Sequence, residues 1–474
     1  MTGWISAAVE VAAIVIIIYM GSVSLLYLGM FFVAGPRIRK ERKLNREAHI
    51  EEIAMNKDTF PVSVLVPAYN EEVGVSSTVR SMLALNYPQF EVIIIDDGSV
   101  DETSSRVITE FRMIEIDLAI RTYFPTQPVK KAYQSTLFPN LFLIRKQNGG
   151  KADALNAGIN FSKYPYFAAI DGDSLLDRDA LLKTMKPIID SNGRVTATGG
   201  TVRIANGSRI IRSEVEKIAL PQTPLVLMQI IEYFRAFLIG RLGLSRLNVL
   251  LIISGAFGVF EKNRVIKAGG YKVNTVGEDM ELIVRIHRSL KDEKSDQRIE
   301  YIQDPVCWTE APSTISSLRS QRRRWQRGLA ETLWTHRKMI LNPKYRGIGL
   351  FALPYYILVE LLSAIFELVG YVIIVGGILF AFISWEIALI MFMVTVLYGS
   401  LLSSLAVLLE EWTYHKYPDV KSLLVLFFWA LTEAFWYRPM TVIWRCEGLI
   451  AALLQKGSWG NMQRKGISAE KEAA

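Results

Sequence analysis

Apolar residues follow two patterns along this chain: long uncharged runs near both ends, and short runs in between. Residues 11–34 form 24 positions without a charge, enough for a helix to cross roughly 30 Å of hydrocarbon at about 1.5 Å per residue. Comparable stretches return only late, at about 351–382, 386–409 and 421–441. The pattern therefore predicts four membrane-crossing helices, one leading and three late.

The predicted number of crossings has a margin of one. Glu360 and Glu367 interrupt the first late stretch, so residues 347–385 could hold an additional crossing. Three late crossings would also put the basic C-terminal tail outside, against the tendency of Lys and Arg to stay in the cytoplasm. A last segment that lies in the membrane interface is the other alternative.

The middle of the chain alternates short apolar runs with segments of helical spacing. Strand-length runs that end in polar or glycine residues lie at 61–70, 90–99, 141–146 and 166–174. Because helical segments separate the first from the second and the third from the fourth, we predict an α/β domain with a mostly parallel sheet, inserted between transmembrane α-helices. Ligands bind such sheets beyond the carboxyl ends of the strands. Residues 111–140 fit no regular element and are assigned no role.

Composition supports a membrane protein with a water-soluble middle. The 474 residues are 51% apolar with a mean hydropathy of +0.24, which argues against a purely soluble enzyme. Cys307 and Cys446 have neither disulfide-scaffold nor zinc spacing. Of the basic residues behind the net charge of +8, six lie in residues 36–46, next to the leading span. They predict a cytoplasmic position for this end of the span. Together with the basic residues of 319–327 and of the tail, they explain the charge better than nucleic-acid binding does, so no nucleic-acid partner is expected.

Two pairs of acids follow predicted strands. Asp171 and Asp173 lie two residues apart, which points both carboxylates to one side of an extended chain. Hard oxygen ligands of this kind suit Mg²⁺ or Mn²⁺ with open positions for a diphosphate, although such a pair can also serve only solubility. Asp96 and Asp97 end another strand, either as a turn with Gly98 or as a contact to a base or ribose.

The first strand and a glycine turn add further candidates. Tyr69 could stack on a base with Glu71 close by. The same residues could form a turn in which Asn70 caps a helix, and both interpretations can hold together. Lys151 follows two glycines and opens a helix, an arrangement that suits a phosphate. Its surroundings are not a Walker A sequence, so an NTPase is not supported.

Two later helices complete the set of candidates. Asp279 lies in a likely first turn of a helix, where it either complements the helix dipole or acts as a general base. Residues 318–328 concentrate five arginines around a tryptophan, and Gln321, Arg324 and Trp325 share one helical face. Such a basic helix could also attract anionic lipid.

Taken together and in this order, the motifs resemble the membrane-embedded family 2 glycosyltransferases, the processive synthases of cellulose, hyaluronan, chitin oligosaccharides and poly-N-acetylglucosamine. The resemblance covers roughly residues 60–340 and implies a GT-A-like nucleotide-sugar-binding domain. Gly172 stands where the family usually has alanine, and Gly277 where threonine is common.

The resemblance assigns a role to each candidate residue. Asp97, Tyr69 and Glu71 would surround uracil, Lys151 the phosphates, and Asp171 and Asp173 the metal ion, with Asp173 the surer ligand. Asp279 would be the catalytic base. Gln321, Arg324 and Trp325 would hold the diphosphate and the acceptor sugar, and Ser254 and Gly255 match an acceptor-binding turn.

The implied function is inverting, metal-dependent transfer from a UDP-sugar to a growing β-linked polysaccharide, with translocation of the chain. UDP-GlcNAc is favoured and UDP-Glc is its rival. The implied partners are a polysaccharide acceptor and the lipid bilayer of the inner or plasma membrane, with room for an accessory membrane subunit. The alternatives are one-step transfer to a lipid-linked acceptor and a catalytically silent transporter or receptor.

These expectations divide the chain into six segments. They are a leading transmembrane helix (1–35), a basic cytosolic linker (36–59), the glycosyltransferase domain (60–310), an interfacial Q-R-R-R-W region (311–346), transmembrane or interfacial helices (347–445) and a C-terminal tail (446–474).

Overall fold

The computed structural model of the chain describes residues 2–47, 59–117, 121–211, 214–414 and 419–454. These residues form two compact units. The described parts of 43–219 and 245–311 make up one unit, called here the sheet unit. The described parts of 1–42, 220–244 and 312–462 make up the other, called the helical unit.

The sheet unit is built on ten strands in the order β3-β4-β5-β2-β1-β6-β11-β8-β12-β7, and β9 and β10 form a separate hairpin. The strands are β1 (Val62–Ala68), β2 (Phe90–Asp96), β3 (Met113–Ile116), β4 (Val129–Ser135), β5 (Leu141–Lys146), β6 (Tyr166–Ile170), β7 (Leu175–Leu176), β8 (Val195–Ile204), β9 (Arg209–Ile211), β10 (Glu214–Lys217), β11 (Phe257–Glu261) and β12 (Arg298–Thr309).

The four strands predicted from the sequence, β1, β2, β5 and β6, are parallel neighbours at the centre of this sheet. The central strand β1 is buried nearly throughout, because helices cover such a sheet on both faces. Its last residue, Ala68, pairs with Asp96 at the end of β2. The loops that follow these strands therefore leave the sheet at one shared edge.

The α/β fold is confirmed, but the sheet is mixed rather than mostly parallel. Of the nine adjacent strand pairs, four are parallel and five antiparallel. The antiparallel pairs involve β3, β4, β7 and β11, and β3 and β4 lie in the segment where no element was predicted. An apolar run gives the burial of a strand but not its direction, and direction depends on the connections.

Six helices accompany the sheet among the described residues. They are α2 (Val75–Leu83), α3 (Thr103–Glu110), α4 (Lys151–Phe161), α5 (Ala180–Asp190), α8 (Lys262–Ala268) and α9 (Glu278–Asp292). Helix α4 fits closely under the parallel strands, because a Cβ on Gly158 would lie 3.0 Å from Ile95 and 3.2 Å from Leu65. This contact fixes the first turn of α4 near the strand ends.

The remaining helices belong to the helical unit, apart from the end of α7. They are α1 (Thr2–Glu47, whose last residues belong to the sheet unit), α6 (Pro224–Phe234), α7 (Leu242–Arg246), α10 (Ile315–Thr335), α11 (Leu353–Tyr355), α12 (Ser363–Leu379), α13 (Trp385–Phe392), α14 (Tyr398–Tyr414), α15 (Val420–Thr432) and α16 (Tyr437–Leu453). Segments of π-helix join several of them, at Arg235–Arg241, Ile348–Ala352, Tyr356–Leu361 and Met393–Leu397.

Among the described residues, three helices are long and apolar enough to cross a membrane: Trp4–Phe32, Ile348–Leu379 and Trp385–Trp412. A fourth crossing is counted if Val420–Phe435 and Tyr437–Leu453, bent by 52°, make one span. The candidate spans agree with the predicted number within its margin. The stretch predicted as one crossing at 421–441 breaks at Trp436. Residues 455–474, most of the predicted tail, lie outside the described residues.

Helices α10 and α16 pack against each other with little space between them. A Cβ on Gly448 would lie 2.6 Å from the carbonyl oxygen of Arg323 and 3.0 Å from Cβ of Gln326. Only a glycine lets the two backbones approach this closely. Gly376 on α12, in contrast, has no atom within 4 Å of such a Cβ.

We therefore expect Gly448→Ala to destabilise the helical unit by about 1–3 kcal/mol through overpacking. Gly376→Ala is the matched control and should be neutral or stabilising, by up to about 1 kcal/mol, because alanine is the better helix former. Thermal unfolding of the purified full chain in detergent measures both. Equal melting temperatures for the two variants would contradict the close packing of α10 and α16.

Candidate functional site

A buried lysine organises the loops at the shared edge of the parallel strands. The side chain of Lys146, at the end of β5, is 0% exposed, and its Nζ lies 2.5 Å from carboxylate oxygens of both Asp97 and Asp153. Asp97 also accepts hydrogen bonds from the backbone amides of Gly149 (3.1 Å) and Gly150 (2.7 Å). Burial raises the pKa of Asp97, while Lys146 and these amides oppose the shift. Asp97 therefore holds the glycine turn in its present shape.

The glycine turn needs both of its glycines. A Cβ on Gly149 would lie 2.5 Å from Oδ1 of Asp153, so a larger residue would displace that carboxylate. Gly150 has a φ of +87°, in the left-handed region that favours glycine. The turn ends at Lys151, the first residue of α4, so the ion pairs of Lys146 set where the Lys151 side chain begins.

Lys151, Asp171 and Asp279 converge on Gly255. Nζ of Lys151 lies 2.5 Å from Oδ1 of Asp171 and donates to the carbonyl of Gly255 at 3.2 Å. A Cβ on Gly255 would lie 3.1 Å from both Nζ of Lys151 and Oδ2 of Asp279. The predicted phosphate ligand, metal ligand and base thus share one small volume.

Neighbouring carboxylates keep the Lys151 side chain protonated. Burial lowers the pKa of Lys151, but Asp171, Glu278 and Asp279 raise it more, so the pKa lies above its usual value. Burial raises the pKa of Tyr271, and Asp279, Glu278 and Asp171 raise it further. Lys151 therefore carries its positive charge into a site rich in carboxylates.

The Asp171–Asp173 turn packs against the end of β1. Thr78 on α2 donates a hydrogen bond to the carbonyl of Gly172 at 2.8 Å. A Cβ on Gly172 would lie 2.9 Å from the carbonyl oxygen of Pro67, so the glycine found here in place of the usual alanine allows this close approach. Burial raises the pKa of the Cys307 thiol, and the charges of Asp171 and Asp173 raise it further.

Two carboxylates are ligands of the kind that a divalent ion takes when phosphates and water supply the rest of its coordination. Among the residues that the structure describes, no group of three or more His, Cys, Asp or Glu side chains could hold a metal. Asp171 already binds a cation, the ammonium of Lys151. Mg²⁺ and Mn²⁺ prefer oxygen ligands, and Mg²⁺ is commonly held by one or two carboxylates plus phosphates and water.

The loop after β1 lies beside the loop after β2. The side-chain oxygen of Asn70 accepts a hydrogen bond from the amide of Val100 at 3.0 Å, and Asn70 has a φ of +54°. Asn70 as a helix cap is therefore wrong, since α2 begins only at Val75. Tyr69 is 48% exposed and the amide of Glu71 donates to Thr103. Their contact with uracil stays a prediction.

Asp96 forms a turn with Gly98, which is one of the two roles predicted for this pair of acids. Its Oδ1 accepts from the amide of Ser99 at 2.8 Å, and Gly98 has a φ of +77°. Asp96 also accepts from the hydroxyl of Ser104. Asp97 is 3% exposed. Its contact with a base stays a prediction.

Ser254 and Gly255 form the turn before β11. The amide of Ala256 donates to the hydroxyl of Ser254 at 3.3 Å, and the amide of Phe257 donates to its carbonyl at 3.2 Å. The turn brings the carbonyl of Gly255 to Lys151, as described above. Its role in acceptor binding stays a prediction.

Gln321, Arg324 and Trp325 lie on α10 of the helical unit. Trp325 is 44% exposed, and its contact with the acceptor sugar stays a prediction. Oε1 of Gln321 is buried without a hydrogen-bond partner among the described residues. The structure thus brings Lys151, Asp171, Asp279 and Gly255 together in the sheet unit and places this second group on a helix of the other unit.

Two residues at the strand edge were missed by the sequence analysis. Lys146 and Asp153 hold the glycine turn, but Lys146 is one of two basic residues that end an apolar run, and Asp153 reads as an ordinary first-turn acid of a helix. The sequence does not show which of Arg145 and Lys146 points inward. Period-two spacing gives no signal here, because Leu141–Ile144 are buried on both faces of β5.

Comparison with solved structures identifies the fold. A mannosyltransferase from Pyrobaculum calidifontis, solved in complex with GDP-mannose and Mn²⁺, matches 95% of this chain and 100% of its own, with 16% identity and a TM-score of 0.50. The sheet unit therefore has a GT-A-like fold, and helices apolar enough to span a membrane precede and follow it in the chain.

Comparison of sequences gives the family. Residues 60–328, more than half of the chain, match the family described as "Glycosyltransferase like family 2", and residues 263–461 match "Chitin synthase". The chain belongs to the family 2 glycosyltransferases, which confirms the resemblance seen in the motifs.

Curated relatives are polysaccharide synthases. Poly-beta-1,6-N-acetyl-D-glucosamine synthase of Staphylococcus epidermidis is 28% identical over 313 residues, 65% of this chain and 64% of the relative. The Staphylococcus aureus (strain COL) enzyme is 29% identical over 277 residues, 57% of this chain and 55% of the relative. The match thus spans less than two thirds of these relatives.

The Lys146 ion pairs predict a large stability effect. Lys146→Met should destabilise the sheet unit by about 3–5 kcal/mol, because it leaves two carboxylates without their buried cation. Lys131→Met is the control, since Lys131 pairs with Glu115 at 2.7 Å and both side chains are about half exposed, a kind of pair that contributes little to stability. Thermal unfolding measures both, and a Lys146→Met melting temperature equal to that of the control would contradict the role of Lys146.

Proposed function

We propose that this chain is an inverting, metal-dependent membrane glycosyltransferase that transfers a sugar from a UDP-sugar to the growing end of a β-linked polysaccharide. The observation that carries the proposal is the convergence of Lys151, Asp171 and Asp279 at Gly255. This volume holds a positive charge for a diphosphate, a carboxylate for a metal and a second carboxylate for a proton.

The proposed donor is UDP-GlcNAc, with UDP-Glc as its rival. Support comes from the two poly-beta-1,6-N-acetyl-D-glucosamine synthases that the chain is similar to. Tyr69 and Glu71 follow β1 and Asp97 follows β2. Because these two strand ends meet at one edge of the sheet, we propose that this edge binds the uridine.

Lys151 and the metal ligands act on the leaving group. Asp173 and Asp171 would hold a Mg²⁺ or Mn²⁺ ion, which would supply positive charge to the diphosphate. Lys151, kept protonated by its acidic neighbours, lies at the N-terminus of α4, where backbone donors add to its charge. Arg324 of α10 is proposed to add a second cation. These groups stabilise the negative charge that develops on UDP.

Asp279 is proposed to act on the acceptor. Its carboxylate takes the proton of an acceptor hydroxyl while the hydroxyl oxygen bonds to the anomeric carbon and the bond to the diphosphate breaks. A single displacement inverts the anomeric centre, so an α-linked nucleotide sugar gives a β-linkage. Trp325 and Gln321, with the turn of Ser254 and Gly255, are proposed to position the acceptor sugar.

The proposed setting is the inner or plasma membrane, with residues 60–310 forming the catalytic domain in the cytoplasm. Six basic residues in 36–46 support this orientation, because such runs stay on the cytoplasmic side of a span. We further propose that the chain is processive and moves its product through its own helices. A size ladder of products from radiolabelled UDP-GlcNAc supports processivity, and a single lipid adduct supports a one-step transferase.

The base assignment predicts a separation of binding from turnover. Asp279→Asn should lower kcat by about 10²–10⁴-fold and change the Kd for UDP by no more than about twofold, because the amide keeps the shape but cannot take a proton. Asp292→Asn, at the exposed end of the same helix, is the control and should leave both values unchanged. Turnover of the Asp279→Asn variant near the wild-type rate would disprove the assignment.

The metal assignment predicts a loss of cation binding. Asp173→Ala should abolish transfer and also remove the UDP-dependent binding of Mn²⁺ measured by electron paramagnetic resonance, because one of the two hard oxygen ligands is gone. Asp177→Ala, four residues further on, serves as the control. Wild-type activity that persists in excess chelator would rule out a metal-dependent reaction.

A further inference from the structure

The three consecutive arginines of the Q-R-R-R-W segment have different surroundings in the helical unit. Arg323 is exposed and lies 3.5 Å from Glu447, and Arg324 is half-buried. Arg322 is 3% exposed, although the sequence pattern drew attention to Arg324 and gave Arg322 no role. A buried arginine in the middle of a basic segment needs a reason.

The Arg322 guanidinium is fixed by two other helices. Its Nη2 donates to Oε2 of Glu232 on α6 at 2.7 Å and to the hydroxyl of Tyr437 on α16 at 3.3 Å. The Tyr437 hydroxyl in turn donates to the same oxygen of Glu232 at 2.7 Å. These three side chains close a triangle, so Arg322 has little freedom to move.

The same guanidinium also lies over the ring of Trp325. Its central carbon lies 4.3 Å from the centroid of the indole, within the range of a cation–π interaction. Nε and Nη1 of Arg322 are buried and have no hydrogen-bond partner in the part of the chain that the structure describes. The side of the guanidinium that carries Nε and Nη1 therefore contributes contact with the ring and not hydrogen bonds.

One face of Trp325 is thus covered, yet the residue remains 44% exposed. An indole held from one side offers its other face as a fixed platform. A sugar ring stacks on such a platform with less loss of side-chain freedom than on a ring that must first be ordered.

We propose that Arg322, held by Glu232 and Tyr437, is a positioning residue that fixes the Trp325 ring for the acceptor sugar. The inference rests on the function proposed above, because it takes the acceptor to be a sugar. Arg322 acts through Trp325, whereas Lys151, Asp171 and Asp173 act on the donor. Loss of its stacking should therefore affect the acceptor and not the nucleotide.

Arg322→Lys is the informative substitution. Lysine keeps a positive charge for Glu232 but lacks the planar guanidinium that stacks on a ring. In the purified full chain in lipid nanodiscs, with UDP-GlcNAc and Mg²⁺, a β-linked N-acetylglucosamine oligosaccharide serves as the acceptor. We expect the acceptor KM to rise about 3- to 10-fold, with kcat and the KM for UDP-GlcNAc within about twofold of wild type.

A second readout does not depend on activity. The chain labelled with 5-fluorotryptophan gives a ¹⁹F resonance for residue 325, identified by its loss in Trp325→Phe. Arg322→Lys should shift and broaden this resonance, because the ring loses its cover and its fixed position. Arg319→Lys, on the same helix but exposed and paired with Glu447 at 2.6 Å, is the matched control and should leave both readouts unchanged.

Two results would overturn the proposal: an Arg322→Lys variant with the wild-type acceptor KM, or one in which the donor KM rises as much as the acceptor KM. If Arg322→Lys does not fold, Glu232→Gln decides by the same two readouts, since it loosens Arg322 without removing it. Failure of the wild-type chain to transfer from UDP-GlcNAc or UDP-Glc would refute the proposed function instead. In that case the ¹⁹F resonance still decides whether Arg322 holds the ring.

Discussion

The ammonium of Lys146 lies between the carboxylates of Asp97 and Asp153, 2.5 Å from each and away from solvent. Buried charges of this kind persist only when each has its partner, because an uncompensated one costs several kcal/mol. Asp97 also holds the amides of Gly149 and Gly150, and Asp153 occupies the space that a side chain on Gly149 would need. The position of Lys151, and with it the contact to Asp171 and Gly255, depends on this arrangement.

In the helical unit, side chains supply hydrogen-bond partners to carbonyl groups of the backbone. Where the candidate span Ile348–Leu379 is interrupted, Nε2 of Gln326 donates to the carbonyl of Leu361 at 3.1 Å, and Arg445 donates to the carbonyl of Glu360. In a membrane such carbonyls need partners from the protein. Gln326 is the neighbour of Trp325, so α10 is anchored at the residue next to its exposed ring. A helix held in this way gives a stable base for a binding surface.

The part of the fold that could be predicted from the sequence is the part set by local pattern. Buried strands with polar ends and helical spacing between them located β1, β2, β5 and β6 and the loops with Asp97, Asp171 and Lys151. The direction of β11, which runs antiparallel between β6 and β8, depends on connections that hydrophobic pattern does not record. The same holds for Asn70, whose side chain bonds to a loop 30 residues away rather than to the helix that follows it.

Supporting residues were the hardest to predict, because their roles exist only in three dimensions. Lys146 and Arg322 are ordinary basic residues in the sequence, and each becomes distinctive only through partners brought by other elements. The central claim is that the chain forms a β-linkage by a single inverting displacement. The most direct test is the anomeric configuration of the first product that the purified full chain makes from UDP-GlcNAc, read by NMR. A β-linked product is predicted, and an α-linked product would contradict the account.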